Sequence, residues 1–212
     1  MPPESTVFIV DDEPAVRNSL AWLLESVGQQ VETFPSAQAF LDSYDPHRPG
    51  CLILDVRMPG MSGLDLQEKL STMDAKLPVI FITGHGDVPM AVRAMKHGAV
   101  DFIEKPFNNQ ELLDRVHLAI ERDVRARARD ARGSEIRARM ESLTPREREV
   151  LEGVVGGKAN KSMARELGVS VKTIEAHRAK LMEKMHASSV AELVGMVLSL
   201  REEVRENPDD AR

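Results

Sequence analysis

The sequence predicts an α/β fold, a doubly wound five-stranded parallel sheet in the order 2-1-3-4-5, followed by a small all-α helix-turn-helix domain. Three observations carry that expectation. Over the first 120 residues, short apolar and β-branched runs alternate with helical patterns, the mark of βαβ units. Polar residues suited to phosphate chemistry stand where those runs end, and open parallel sheets bind ligands outside the carboxyl ends of their strands. Beyond residue 143 only helical periodicity remains. At 212 residues the chain exceeds one typical domain of about 100 to 150 residues yet is short for three.

Strands are expected at about residues 6–10, 30–34, 51–55, 79–83 and 100–103. Pro14 opens the first helix, where its missing N–H costs nothing. Ser36, Ser62 and Asp87 are placed to cap the second, third and fourth, and the fifth begins near Asn109. The domain they build spans 1–121. Residues 122–142 are rich in strong helix formers but have no apolar stripe, so they read as a charged helical linker, broken or bent near Gly133-Ser134. The second domain spans 143–212. Thr144-Pro145-Arg146-Glu147 forms a capping box with proline at the first helical position, and Ser189 with Glu192 forms another. Helices are expected at about 145, 160–167, 171–186 and 190–205, with Gly168-Val169-Ser170 as the turn of a helix-turn-helix.

The net charge of −6 hides an asymmetry. Residues 1–121 hold 9 Lys/Arg against 18 Asp/Glu, 122–142 hold 7 against 4, 143–187 hold 9 against 6, and the remainder hold 3 against 6. An acidic front and a basic back fit a cation-binding module joined to a polyanion-binding one. No apolar run approaches the roughly 18 residues that span a bilayer, and no basic segment followed by an apolar one opens the chain, so a cytoplasmic protein without membrane contact is expected. The lone Cys51 reads as a small core residue.

Chemistry concentrates at the strand ends. Asp11 and Asp12 follow the first strand, Asp55 the third, Thr83 ends the fourth, and Lys105 follows the fifth. Magnesium uses one or two protein carboxylates, water and phosphate oxygens, so Asp11 or Asp12 with Asp55 would serve as ligands. Lys105 would pair with a phosphoryl oxygen and Thr83 would donate its hydroxyl. Asp55 then becomes the attacking carboxylate of an aspartyl phosphate. Taken singly, any of these residues is more simply a loop carboxylate or a cap. Two decoys carry less: Gly84-His85-Gly86 lacks the third glycine of a dinucleotide fingerprint, and residues 153–158 are one residue short of a phosphate loop, with Ala159 in place of the hydroxyl residue.

Residues 1–121 resemble the receiver domain of a two-component response regulator. The matching elements are Val-Asp-Asp-Glu at 10–13, Leu-Asp-Val-Arg-Met-Pro-Gly-Met-Ser-Gly-Leu at 54–64, Thr-Gly-His-Gly-Asp at 83–87 and Phe-Ile-Glu-Lys-Pro-Phe at 102–107. The resemblance implies Asp55 as phosphoacceptor, Asp11 and Asp12 in the acid pocket, and the Arg57 carbonyl on magnesium. It further implies Thr83 and Phe102 as the switch pair, Lys105 as the phosphate sensor and a cis bond before Pro106.

In residues 171–185, Val171, Ile174, Leu181 and Met185 share one helical face, and small or hydrogen-bonding side chains occupy the other. The pattern fits equally a solvated helix face and a helix that enters a major groove to read bases while lysines and arginines hold phosphates. Residues 143–200 resemble a LuxR-type helix-turn-helix through Leu-Thr-Pro-Arg-Glu-Arg-Glu-Val-Leu at 143–151, Asn160-Lys161-Ser162 and Ser-Val-Lys-Thr-Ile-Glu-Ala-His at 170–177. The expected DNA contacts are Lys161, Lys172, Thr173, Glu175, Ala176, Arg178, Ala179 and Lys180. His177 reads as structural. The last helix carries a stripe of Val190, Leu193, Val194, Val197, Leu198 and Val204, part core and part a dimer contact on DNA.

The whole chain is thus similar to a FixJ/NarL-type response regulator. That resemblance implies a sensor histidine kinase as phosphodonor, magnesium, a homodimer on phosphorylation, double-stranded DNA, RNA polymerase, and no enzyme activity of its own. Two other classes stand beside it. A phosphoryl-transfer enzyme with an aspartyl intermediate commonly has a second acid two residues after its nucleophile, where this chain has Arg57. A constitutive DNA-binding protein with a silent receiver has no use for an intact pocket.

Overall fold

A computed structural model describes residues 5–73, 75–84 and 88–206, with side chains as far as Glu202. Five strands, β1 (Thr6–Val10), β2 (Gln30–Phe34), β3 (Gly50–Asp55), β4 (Val79–Thr83) and β5 (Asp101–Glu104), alternate with α1 (Pro14–Ser26), α2 (Ala37–Ser43), α3 (Gly63–Thr72), α4 (Val88–Lys96) and α5 (Asn109–Glu141). All pairings are parallel, in the order β2-β1-β3-β4-β5. The sheet is as expected, with β5 one residue later than its apolar run and β3 one residue longer.

Period-two alternation decides which helix covers which face. Val7, Ile9, Cys51, Ile53, Ile80 and Ile82 share a core with Leu20 and Leu24 of α1 and with Leu112, Val116 and Ala119 of α5. Phe8, Val10, Leu52, Leu54, Val79 and Phe81 face the other way, toward α2, α3 and Ala94 of α4. The three central strands, β1, β3 and β4, are therefore buried on both faces, as covered parallel strands are, while the edge strands β2 and β5 are partly exposed. Cys51 is fully buried, as expected of a core residue. Ser36 caps α2 by accepting from Ala39 N, and Ser62 completes a capping box with Asp65 at α3. The Asp87 cap and the His85-Gly86 decoy lie outside the described residues.

Two units emerge, 1–127 and 128–212, and residues 122–141 are helical as expected, without the break expected at Gly133-Ser134. Helix α5 runs unbroken for 33 residues, through Gly133-Ser134. A helical glycine costs only about 1 kcal/mol relative to alanine. Against that cost, Gly133 and Ile136 are buried, and Ile136 belongs to the core of the second unit. Nor is the stretch merely a solvated spacer. Asp123, 1% exposed, accepts from Gly50 N at 2.9 Å and from Arg127 Nε at 2.7 Å, and Arg127 donates to the carbonyls of Pro46 and Arg48, both at 2.9 Å. A Cβ on Gly50, whose φ is +155°, would collide with the Thr6 carbonyl, so glycine is required where β1 and β3 approach.

In the second unit α6 (Pro145–Val155), α7 (Asn160–Leu167), α8 (Val171–Met185) and α9 (Val190–Glu206) surround Val150, Leu151, Met163, Ile174, Leu181, Met185, Leu193 and Val197. Each such buried aliphatic side chain contributes roughly 1.5 to 3 kcal/mol. The Thr144 capping box is present, whereas the one expected at Ser189 is half made. Ser189 Oγ accepts from Glu192 N, but the Glu192 carboxylate turns back one residue further, to Ser188 N at 2.8 Å and the Ser188 hydroxyl. Residues 153–158 are a helix end: Gly156 closes α6 and Gly157 has φ +70°. Gly168, at φ +66°, closes α7 and makes the turn into α8.

Candidate functional site

At the carboxyl edge of the sheet, Lys105 Nζ donates to Asp11 Oδ2 at 2.9 Å and to Asp55 Oδ1 at 3.2 Å. Residues 11, 55 and 105 thus meet at one point although 94 positions of sequence separate the first from the last. Each is anchored. Asp11 Oδ1 accepts from Glu13 N, Asp55 Oδ2 accepts from Arg57 N, both at 2.8 Å, and Lys105 N donates to the Thr83 carbonyl at 2.7 Å. The peptide bond between Lys105 and Pro106 is cis, as the resemblance implies.

Burial pushes the Asp55 carboxyl above its ordinary value, and the charge and hydrogen bond of Lys105 oppose that rise without cancelling it. For Lys105, burial disfavours the ammonium, but the two carboxylates outweigh it and its pKa ends above the usual lysine value. The lysine is therefore a fixed cation. Asp11 is fully buried and Asp12 exposed, and among the described residues no three His, Cys, Asp or Glu side chains form a ready-made cation cage. The donor set nevertheless fits a hard cation: two carboxylates already converge on one positive group, and magnesium needs only one or two of them. Arg57, whose carbonyl the resemblance implies as a ligand, has an exposed side chain and lies two residues after Asp55.

Thr83 is 1% exposed and Phe102 half-buried, on neighbouring strands. Phe102 packs toward the α3 and α4 side of the sheet, 6.2 Å from the Phe81 ring centroid. Helix α4 is held to α3 at its far end, where Gln67 Nε2 donates to the Ala94 and His97 carbonyls at 3.1 and 3.2 Å and Arg93 meets Glu68 at 3.0 Å.

On α8, Ile174, Leu181 and Met185 point inward. Val171, assigned to the same face by spacing, is 40% exposed because it sits at the first helical position, ahead of the packed turns. Lys172, Glu175, Ala176, Ala179 and Lys180 are exposed together on the opposite side, and Lys161 is exposed on α7. Thr173 is half-buried, and its hydroxyl lies 2.8 Å from the capping Ser170 Oγ. Arg178 is half-buried and donates to Asn160 Oδ1, so it stands apart from the exposed face. His177 is half-buried, consistent with a structural role. Of the α9 stripe, Leu193 and Val197 are core, Val190 and Leu198 are 41% and 46% exposed, and the Val204 side chain lies outside the described residues.

Three contributors escaped the sequence reading. Arg17 Nη1 donates to the Asp11 carbonyl at 2.6 Å, a helical arginine with no local signal. Gly63 lies so close to Asp55 that a Cβ would strike its carbonyl, and glycine at the first position of a well-capped helix was the available clue. Asn160 holds Arg178, and no local pattern announces that pairing.

Comparison with known proteins agrees with this geometry. Residues 7–117 match the response regulator receiver domain, and residues 141–197 match the bacterial regulatory proteins of the luxR family. The chain is 50% identical over 199 residues to the transcriptional regulatory protein FixJ of Azorhizobium caulinodans, covering 93% of this chain and 94% of that one. It is 46% identical to the response regulator protein TodT of Pseudomonas putida, covering 93% and 87%. Among solved structures, the response regulator StyR matches with a TM-score of 0.84 at 44% identity, covering 92% and 98%. Full-length FixJ from B. japonicum matches with a TM-score of 0.58 at 43% identity, covering 94% and 98%. The chain therefore belongs to the two-component response regulators in which a receiver domain is joined to a LuxR-family helix-turn-helix, the group that contains the FixJ transcriptional regulators.

Proposed function

We propose that a sensor histidine kinase phosphorylates Asp55 in a magnesium-dependent step, and that the phosphorylated protein dimerises, binds double-stranded DNA and acts with RNA polymerase on transcription in the cytoplasm. The observation that carries this reading is the Lys105 ammonium shared between Asp11 and Asp55 at 2.9 and 3.2 Å. It leaves one carboxylate oxygen of Asp55 on the Arg57 amide and aims the other at a fixed cation. In the transfer, Asp55 forms a new O–P bond, the P–N bond of the kinase phosphohistidine breaks, and the histidine nitrogen recovers a proton. Three phosphoryl oxygens then arrive beside Lys105, which trades a carboxylate for a phosphoryl partner. Asp11, Asp12, Asp55 and the Arg57 carbonyl would hold magnesium, which neutralises charge on the phosphoryl oxygens. No described helix is long and apolar enough to cross a membrane.

Intact-mass measurement after incubation with acetyl phosphate and magnesium tests the assignment. One added phosphoryl group on the wild type and none on Asp55→Asn supports it. Stoichiometric acid-labile phosphate on Asp55→Asn overturns it.

A further inference from the structure

The cations of the second unit differ in what they pair with. Lys158 meets Glu166, Lys184 meets Glu147, Arg146 meets Glu149, Arg139 meets Glu135 and Arg201 meets Glu152. Arg178 is different: its Nη1 donates at 2.7 Å to Oδ1 of Asn160, a neutral amide, and among the described residues it meets no carboxylate within ion-pair distance. A carboxylate there would both orient and neutralise the guanidinium. An amide orients it and leaves its full charge.

The position of the pair also matters. Arg178 lies one turn after Ile174 and three residues before Leu181, both fully buried, so it stands at the edge of the packed face of α8. From that edge it reaches the first residue of α7, beside the exposed Lys161. Asn160 does not spend its side chain on its own helix, since the α7 N-cap is Ala159 with no side-chain cap. An arginine guanidinium offers five N–H donors in a planar fork, and Asn160 uses a donor on only one of its nitrogens.

We propose that Asn160 is a positioning residue for DNA binding: it fixes the Arg178 fork at the α7–α8 corner so that the unused N–H groups meet one backbone phosphate next to Lys161. The inference rests on the DNA-binding reading of the second unit. Arg178 is thereby assigned to a phosphate clamp, which contributes affinity without sequence preference.

The test is a salt titration of the full-length protein, treated with acetyl phosphate, on a mixed-sequence duplex followed by fluorescence anisotropy. Asn160→Ala is expected to weaken binding roughly tenfold at moderate salt and to lower the slope of log affinity against log salt by about one per protomer. Arg178→Ala is expected to do the same, and the double variant to lose no more than either single one. Lys161→Ala is expected to add its own loss to each. Far-UV circular dichroism at the assay temperature checks folding, and Asn160→Ser, whose hydroxyl is too short to reach Arg178, replaces the alanine variant should that one unfold. An unchanged salt slope in folded Asn160 variants, or fully additive losses in the double variant, overturns the inference while the DNA-binding reading stands. Failure of the wild type to bind any duplex overturns both.

Discussion

Lys105 and Asp55 stand 3.2 Å apart, ammonium to carboxylate, yet burial still holds the Asp55 pKa above its ordinary value. The folded state therefore binds this proton more tightly than the unfolded chain does. Stability falls as pH rises from the ordinary carboxylate value through the raised one, and the deficit is complete above it. Asp55→Asn removes the charge, so without magnesium it is expected to raise the thermal midpoint of the receiver at neutral pH. The gain should shrink as pH falls through the acid range. A midpoint below that of the wild type at neutral pH contradicts the burial account.

Glu147 behaves in the opposite sense. Its side chain accepts from Lys184 Nζ at 2.7 Å and from Thr144 N at 2.9 Å, and these partners hold its pKa down at about 2 against 4.5 for a free glutamate. A depressed folded pKa stabilises the fold above the unfolded value, and that stability is lost as pH falls from 4.5 toward 2. Glu147→Gln is expected to lower the midpoint of the second unit by several degrees at neutral pH and to flatten its acid dependence in that window. Calorimetric scans of both proteins across the window provide the check. Parallel curves remove Glu147 as the acid-sensitive group.

For the dimer proposed on phosphorylation, the α4–β5 face is the surface to test, because among the described residues it exposes the apolar Val88, Val92 and Met95, at 76%, 46% and 47% exposure. Ala94, fully buried against α3, is no place for a test charge, because an ionised side chain there would disrupt the fold itself. Val92→Glu is expected to abolish acetyl-phosphate-dependent dimerisation while Asp55 still takes up phosphate. Arg93→Glu places like charges beside Glu68 and Asp65 and is expected to weaken the dimer as well. Light scattering reads both. A Val92→Glu protein that dimerises as the wild type does moves the surface elsewhere.

Lys172 and Lys180 flank the exposed face of α8, with Glu175 between them. Lys180→Ala is expected to weaken a selected operator and a scrambled duplex alike, with a salt slope lower by about one per protomer. Glu175→Ala is expected to cost about 1 to 3 kcal/mol of discrimination, since a carboxylate accepts from cytosine and repels phosphate. If Glu175→Ala instead tightens both duplexes equally, Glu175 is an electrostatic brake and base reading falls to Ala176, Ala179 and Thr173. Of these, Thr173 shares its hydroxyl with Ser170.

What the sequence made legible was local, or repeated with a fixed period. Strand ends, caps at Ser36, Ser62 and Thr144, and the inward face of α8 follow from period and from hydrogen bonds spanning three residues. The carboxylate cluster was legible because an open parallel sheet puts every strand end on one edge, whatever the sequence distance. Continuity of α5 was not, since Ile136, whose burial offsets Gly133, belongs to a core built with helices as distant as α9, more than 50 residues further on. The Glu192 carboxylate likewise chose Ser188 over Ser189, a difference of one residue that motif spacing does not resolve.

The Asp123–Arg127 pair bears on where this protein can be cut. A receiver fragment ending at Glu121, the apparent end of its pattern, discards the carboxylate that Gly50 N requires and bares the Pro46 and Arg48 carbonyls that Arg127 serves. The stranded amide alone costs about 1 to 3 kcal/mol, a large share of the margin by which a small domain stays folded. Ending the fragment after Arg127 keeps the lash. One oxygen of Asp123 is already sealed from solvent without a hydrogen-bond partner, so the wall of that crevice has little tolerance for further loss.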